Sequence, residues 1–81
     1  MDTNGIVEKI LCLQDGNNLQ FLVNTEYVDS TADVWNINGY YLLFEFPEHD
    51  EAPVFRGAYK VSTGIKAVRK IIDNYKQWGL E

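Results

Sequence analysis

The densest group of side chains that could do chemistry is the segment Glu48-His49-Asp50-Glu51. Carboxylates and an imidazole suggest calcium or zinc. The alternating acids and central glycine of a calcium loop are absent. Zinc needs three or four protein ligands, mostly nitrogen or sulfur, whereas His49 is the only histidine and Cys12 the only cysteine. We therefore predict a solvated loop with no metal ion and no cofactor.

The one pair that could support nucleophilic catalysis is Cys12 with His49. Cys12 lies in an apolar run, residues 6–14, where a thiol usually packs as a small hydrophobic side chain. Carboxylates are numerous, but none falls in a recognisable acid–base arrangement. The sequence therefore predicts a protein that is not an enzyme.

Charge is distributed unevenly along the chain. The net charge is −5, and ten of the twelve acids lie in residues 1–61. The predicted C-terminal helix instead carries a basic face of Lys66, Arg69 and Lys70. Dedicated nucleic-acid binders are usually basic, so we do not expect direct nucleic-acid binding. One alternative function is an acidic inhibitor that imitates a phosphate backbone and binds a nucleic-acid-binding protein.

Size and composition indicate one intracellular domain. The 81 residues are 46% hydrophobic, which permits a single packed core over residues 1–81. A lone cysteine excludes an intramolecular disulfide and fits a reducing compartment. Neither a signal peptide nor a membrane span is visible. We therefore expect a cytoplasmic protein that has no membrane partner.

The strongest local signal is Asn38-Gly39, between two apolar runs. Both residues tolerate the positive φ that a type I′ hairpin turn requires. This turn predicts a hairpin in which Ile37 pairs with Tyr40 and Trp35 with Leu42. Two residues therefore determine the register of both flanking strands.

Further strands are predicted on both sides of this hairpin. We favour a strand over residues 6–14, paired through a turn with residues 19–23, and a helix is the alternative because both periodicities fit. Pro47 should end the second hairpin strand, since proline cannot donate a ladder hydrogen bond. Residues 54–61 alternate again, and Gly57 suggests a bulge.

A C-terminal helix completes the fold. Ser62 or Thr63 should cap it, and its apolar residues recur at helical spacing. Strands followed by one helix predict the α+β class: an antiparallel β-meander of four to five strands with one C-terminal amphipathic helix packed on one face. The apolar helix positions are Ile65, Val68, Ile71, Ile72, Tyr75 and Trp78.

One helix leaves a sheet face uncovered, and this face is the predicted site. We expect the helix to cover the face that carries Trp35 and Leu42, because it is the more apolar. The opposite face should then bind another protein or a second copy of the chain, forming a homodimer. The alternatives are a sheet that curls into a partial barrel and buries this face, and a small-ligand pocket between sheet and helix. The predicted interaction residues are Val34, Tyr41, Leu43, Leu22 and Val54.

Overall fold

A computed structural model describes residues 3–24, 29–47 and 52–78. Within these residues, four antiparallel strands form a meander in the order β1-β2-β3-β4, and a C-terminal helix packs on it. The α+β class with an antiparallel sheet and a C-terminal helix is therefore confirmed. The elements are α1 (Thr3–Leu11), β1 (Asn18–Asn24), β2 (Asp29–Ile37), β3 (Tyr40–Phe46), β4 (Val54–Lys60), a 3₁₀ turn (Val61–Thr63) and α2 (Ile65–Lys76).

The central hairpin forms as the sequence predicts. Asn38 and Gly39 have φ values of 52° and 84°, which are those of a type I′ turn. Ile37 pairs with Tyr40 in the predicted register. The backbone N–H of Asn38 donates to Asp15 Oδ1 at 2.8 Å. The turn is therefore also attached to the connection between α1 and β1.

The N-terminal segment forms helix α1, so the favoured strand assignment for residues 6–14 is wrong. Ile6 and Ile10, four residues apart, are both buried, and α1 packs against α2. A helix and a strand both bring this pair onto one face, but the helix lies beside α2 and packs onto the core, whereas a strand would add a fifth row to the sheet. Cys12 follows the helix and is exposed, so the predicted core position of its thiol is also wrong.

Helix α2 begins without the predicted cap. Its N-cap residue is Gly64, at φ 59°, and no side chain bonds to the first helical N–H groups. The Thr63 hydroxyl instead donates to the carbonyl of Lys60 at 2.7 Å. Ile65 remains 46% exposed. The buried residues of α2 and the turn after it are Ala67, Val68, Ile71, Ile72, Tyr75 and Trp78.

The predicted choice of sheet face is wrong, because the helices cover the opposite one. Val34, Tyr41 and Leu43 form the centre of the core, and Phe21 and Val23 of β1 extend the same face. This face looks less apolar in the sequence because it also carries polar residues. Those residues are paired inside the fold, and they are Ser30, Asn36 and Glu45.

Candidate protein-binding surface

The sheet face that points away from the core carries a continuous band of apolar side chains. None of them belongs to the core or to the partly buried residues packed against it. Phe55 is 57% exposed, Tyr40 43% and Phe46 37%. The apolar stripe, as we call it, consists of Trp35, Ile37, Tyr40, Leu42, Phe44, Phe46, Phe55 and Ala58.

The stripe is centred on β3 and continues onto both neighbouring strands. Trp35 pairs with Leu42 across β2 and β3, and Leu42 pairs with Ala58 across β3 and β4. The rings of Phe44 and Phe55 lie 5.5 Å apart between centroids and are tilted by 58°. Such aromatic contacts add to the stability of a sheet face. The surface is therefore ordered by its own contacts.

A β-bulge in β4 determines which side chains reach this face. Phe55 pairs with Phe44 and Gly57 with Leu43, so Arg56 is the additional residue in β4. A bulge of this kind redirects a side chain. Arg56 bonds to Glu45 on the helix side, while Phe55 stays on the open face. The predicted irregularity at Gly57 is therefore confirmed.

Hydrogen bonds hold the indole of Trp35 in place. Its Nε1–H donates to Asp33 Oδ2 at 3.0 Å, and Asn18 Nδ2 donates to Asp33 Oδ1 at 2.8 Å. Asp33 is only 4% exposed, so a surface tryptophan is fixed by a buried carboxylate. A side chain that is already ordered loses little entropy on binding, and tryptophan is enriched among residues that dominate interfaces.

Polar residues form the rim of the stripe. On the β1 side, the open face carries Asn18, Gln20 and Asn24, with Leu22 as its one apolar residue. On β4, Lys60 pairs with Tyr40 at the end of the stripe. An apolar centre with a polar rim is the usual arrangement of a protein-binding surface.

The predicted interaction residues do not form one surface. Val34, Tyr41 and Leu43 are brought together, but they are at most 2% exposed beneath the helices, so their predicted exposure is wrong. Leu22 is 64% exposed on the open face, and Val54 is 38% exposed at the start of β4, paired with Glu45.

The stripe itself contains residues that the sequence pattern assigns to the helix contact. The signal for the correct face lies in β1, where Leu19, Phe21 and Val23 alternate with residues that are polar apart from Leu22. Once β1 is paired with β2, these residues share a face with Val34. The correct choice of face therefore depends on that pairing.

The basic face of α2 is on the surface, as its pattern indicates. Lys66, Arg69 and Lys70 are all exposed. Arg69 lines a surface cleft of about 300 Å³ together with Asp73, so a carboxylate lies close to the cations. This arrangement is that of a solvated helix face with mixed charge.

The buried carboxylate Glu45 is the centre of a polar network on the helix side. Ser30 Oγ donates to Glu45 Oε2 at 2.7 Å, and Arg56 Nε donates to Oε1 at 2.8 Å. The Arg56 guanidinium lies 5.4 Å from the centroid of the Trp78 ring, and Trp78 Nε1 donates to Asn74 Oδ1 at 3.0 Å. The network joins the end of α2 to β3 and β4. Ser30 is only 3% exposed, so its hydroxyl is inaccessible as a nucleophile.

Among the described residues, two tyrosines have a raised pKa. Burial raises the pKa of Tyr41 above its ordinary value of 10.0. Burial also raises the pKa of Tyr75, and a hydrogen bond with Thr3 partly opposes that effect. Neither phenol approaches the neutral range that a general acid or base requires.

Most of the space between the sheet and the helices is filled by side chains, because Val34, Leu43, Val68 and Ile71 are fully buried there. An open cleft of about 400 Å³ remains where α1, the end of β1 and α2 meet, and its lining includes Ile6, Val23 and Tyr75. The small-ligand pocket between sheet and helix therefore stays a prediction. Among the described residues, no group of three or more histidine, cysteine or acidic residues is placed to bind a metal ion. The segment that the sequence predicts to be a solvated loop, residues 48–51, lies outside the described residues.

None of the helices that the structure describes combines the length and the apolar character needed to cross a membrane. Fold and surface together define a small α+β domain, an antiparallel meander backed by two helices with an apolar open face. No protein-family model, curated protein or solved structure matches this chain.

Proposed function

We propose that this chain is a non-enzymatic protein-interaction module of the cytoplasm that binds another protein through the apolar stripe. The observation that carries the proposal is the exposure of the stripe on the face opposite the helices. Contiguous apolar surface of this kind on a small domain usually marks an interaction site. The fixed indole of Trp35 supplies a rigid anchor on β2, at the side of the stripe that adjoins β1.

The size of the face indicates the kind of complex. Four strands spaced by about 4.8 Å and seven residues rising about 3.3 Å each give a face of roughly 400 Å² in projection. Stable complexes usually bury about 800 Å² on each partner. We therefore expect a transient complex with a protein segment that presents aliphatic or aromatic side chains to the stripe.

The alternative of an acidic phosphate mimic has less support. Such a mimic needs a surface of exposed carboxylates. Among the described acids of residues 1–61, Glu8, Asp15 and Asp29 are exposed on three different segments, while Asp33 and Glu45 are buried and bonded within the fold. Both are therefore removed from any surface that a basic groove would meet.

Site-specific photo-cross-linking in the native cell tests the proposed function. We would replace Phe55 or Tyr40 by p-benzoylphenylalanine, with the same replacement of Arg69 on α2 as the matched control. The expected result is a discrete cross-linked protein from both stripe positions and none from the control, because only the stripe is in contact. Equal cross-linking from all three positions, or none from the stripe, would overturn the proposal.

A further inference from the structure

The two edges of the sheet differ in how well they are protected against pairing with another chain. Natural edge strands are usually protected by charge, proline, a bulge or short length. The edge strand β4 follows Pro53, contains the bulge, and carries Arg56 and Lys60. The edge strand β1, Asn-Leu-Gln-Phe-Leu-Val-Asn, has seven residues and none of these features. Its register with β2 is unbroken throughout.

The hydrogen bonds to β2 determine which backbone groups of β1 face outward. Asn36 donates its N–H to the carbonyl of Asn17 at 3.0 Å. Because the direction alternates along an antiparallel strand, Leu19, Phe21 and Val23 are bonded to β2. The even-numbered residues therefore direct N–H and C=O groups away from the sheet. Those residues are Asn18, Gln20, Leu22 and Asn24.

The sequence of β1 is complementary to itself in the antiparallel direction. A two-fold axis at Phe21 would pair Asn18 with Asn24, Leu19 with Val23 and Gln20 with Leu22 of the second copy. Every core-facing residue then meets a core-facing residue, and the outward backbone groups face each other as hydrogen-bonded pairs. No charged residue lies on either strand at this contact.

We propose that β1 pairs with β1 of a second copy of this chain, so that the two sheets become one continuous sheet. This contact uses the backbone of β1 and not the apolar stripe. A test of the dimer is therefore independent of a test of the function proposed above. The axis runs perpendicular to the sheet. Both helical layers therefore lie on one side of the dimer and both stripes on the other, which lets the dimer bind two segments of one partner.

Amide hydrogen exchange tests this pairing within a single strand. The outward amides of Gln20 and Leu22 should be protected at high protein concentration. Their protection should fall severalfold, and by at most about tenfold, between roughly 1 mM and 10 µM protein, because the monomer fraction of a dimer rises at most with the inverse square root of the concentration. The inward amide of Phe21 should stay protected at both concentrations. Fast, concentration-independent exchange at Gln20 and Leu22 would overturn the proposal.

Three variants distinguish a dimer that forms through the edge of β1 from a dimer that forms through the apolar stripe. Leu22→Lys and Gln20→Pro place a charge or a missing N–H on the outward edge, where edge strands tolerate them. Sedimentation equilibrium should show a wild-type dimer of chains of 9.3 kDa each, monomers for both edge variants, and a dimer for the matched stripe variant Phe55→Lys. Circular dichroism should show that all three are folded.

The same measurements can also refute the pairing of β1 with β1. A wild-type monomer at about 1 mM would exclude the pairing, since a functional dimer of this kind must form by mass action. A dimer that Phe55→Lys disrupts and Leu22→Lys preserves would place the contact on the stripe and refute the edge. If Gln20→Pro unfolds, Leu22→Lys and the exchange of the wild-type amides still decide the question.

Discussion

Leu42 and Leu43 are adjacent in β3 and should respond very differently to truncation. Leu43 is fully buried under the helices, whereas Leu42 lies on the open face. Leu43→Ala removes about three buried carbons, at roughly 0.8 kcal/mol each, and leaves a cavity that raises the cost to about 3–4 kcal/mol. Leu42→Ala opens no closed cavity, so only part of the transfer term is lost, about 1 kcal/mol.

Urea denaturation followed by tryptophan fluorescence and circular dichroism measures both changes. The whole domain is expected to be stable by about 4–12 kcal/mol, so Leu43→Ala could unfold it. Leu43→Val, which removes about one methylene, should still fold and cost about 1 kcal/mol. Measurements at two protein concentrations separate folding from association. A larger cost at Leu42 than at Leu43 would refute the assignment of the core face.

Three further perturbations test separate features. Gly39→Val should cost about 1–3 kcal/mol in urea melts, because a β-branched residue is strained at positive φ; a cost below about 0.3 kcal/mol would contradict the turn type. Arg56→Met should cost about 2–4 kcal/mol by leaving Glu45 buried without its cation, against under about 0.5 for Lys70→Met, and similar costs would contradict the network. Because the folded-state pKa of Tyr41 is raised, wild-type stability should fall as pH rises above 10, where the unfolded phenol ionises first. Tyr41→Phe should reduce that slope in melts between about pH 9 and 11, and an unchanged slope would exclude this phenol as its cause.

The hairpin could be predicted from the sequence because its signal is local. Asn38 and Gly39 determine the turn, and the turn determines the register of the flanking strands. The end of β3 before Pro47 depends equally on one residue. Features of this kind need no knowledge of distant parts of the chain.

The face of the sheet and the nature of residues 6–14 could not be predicted in this way. Counting apolar residues favours the face of Trp35, because the true core face carries Glu45 and Asn36. Glu45 is bonded to Arg56, and Asn36 Nδ2 donates to the carbonyl of Leu13 at 2.8 Å. Both partners are distant in sequence. A buried polar group is acceptable only when such partners exist, and a single sequence does not reveal them.

The contact between α1 and α2 has a consequence for synthesis of the protein. The helices α1 and α2 form one layer over the core face, so the part of that face that α2 covers stays open until α2 has left the ribosome. At about 5–20 residues per second, the roughly fifty residues between the ends of β1 and α2 take about 3–10 s to translate. During that interval the open face of the nascent sheet, part of its core face and its unprotected first edge are accessible to other chains. Newly made protein should therefore aggregate more readily than folded protein, and chaperones that hold nascent chains should raise its yield.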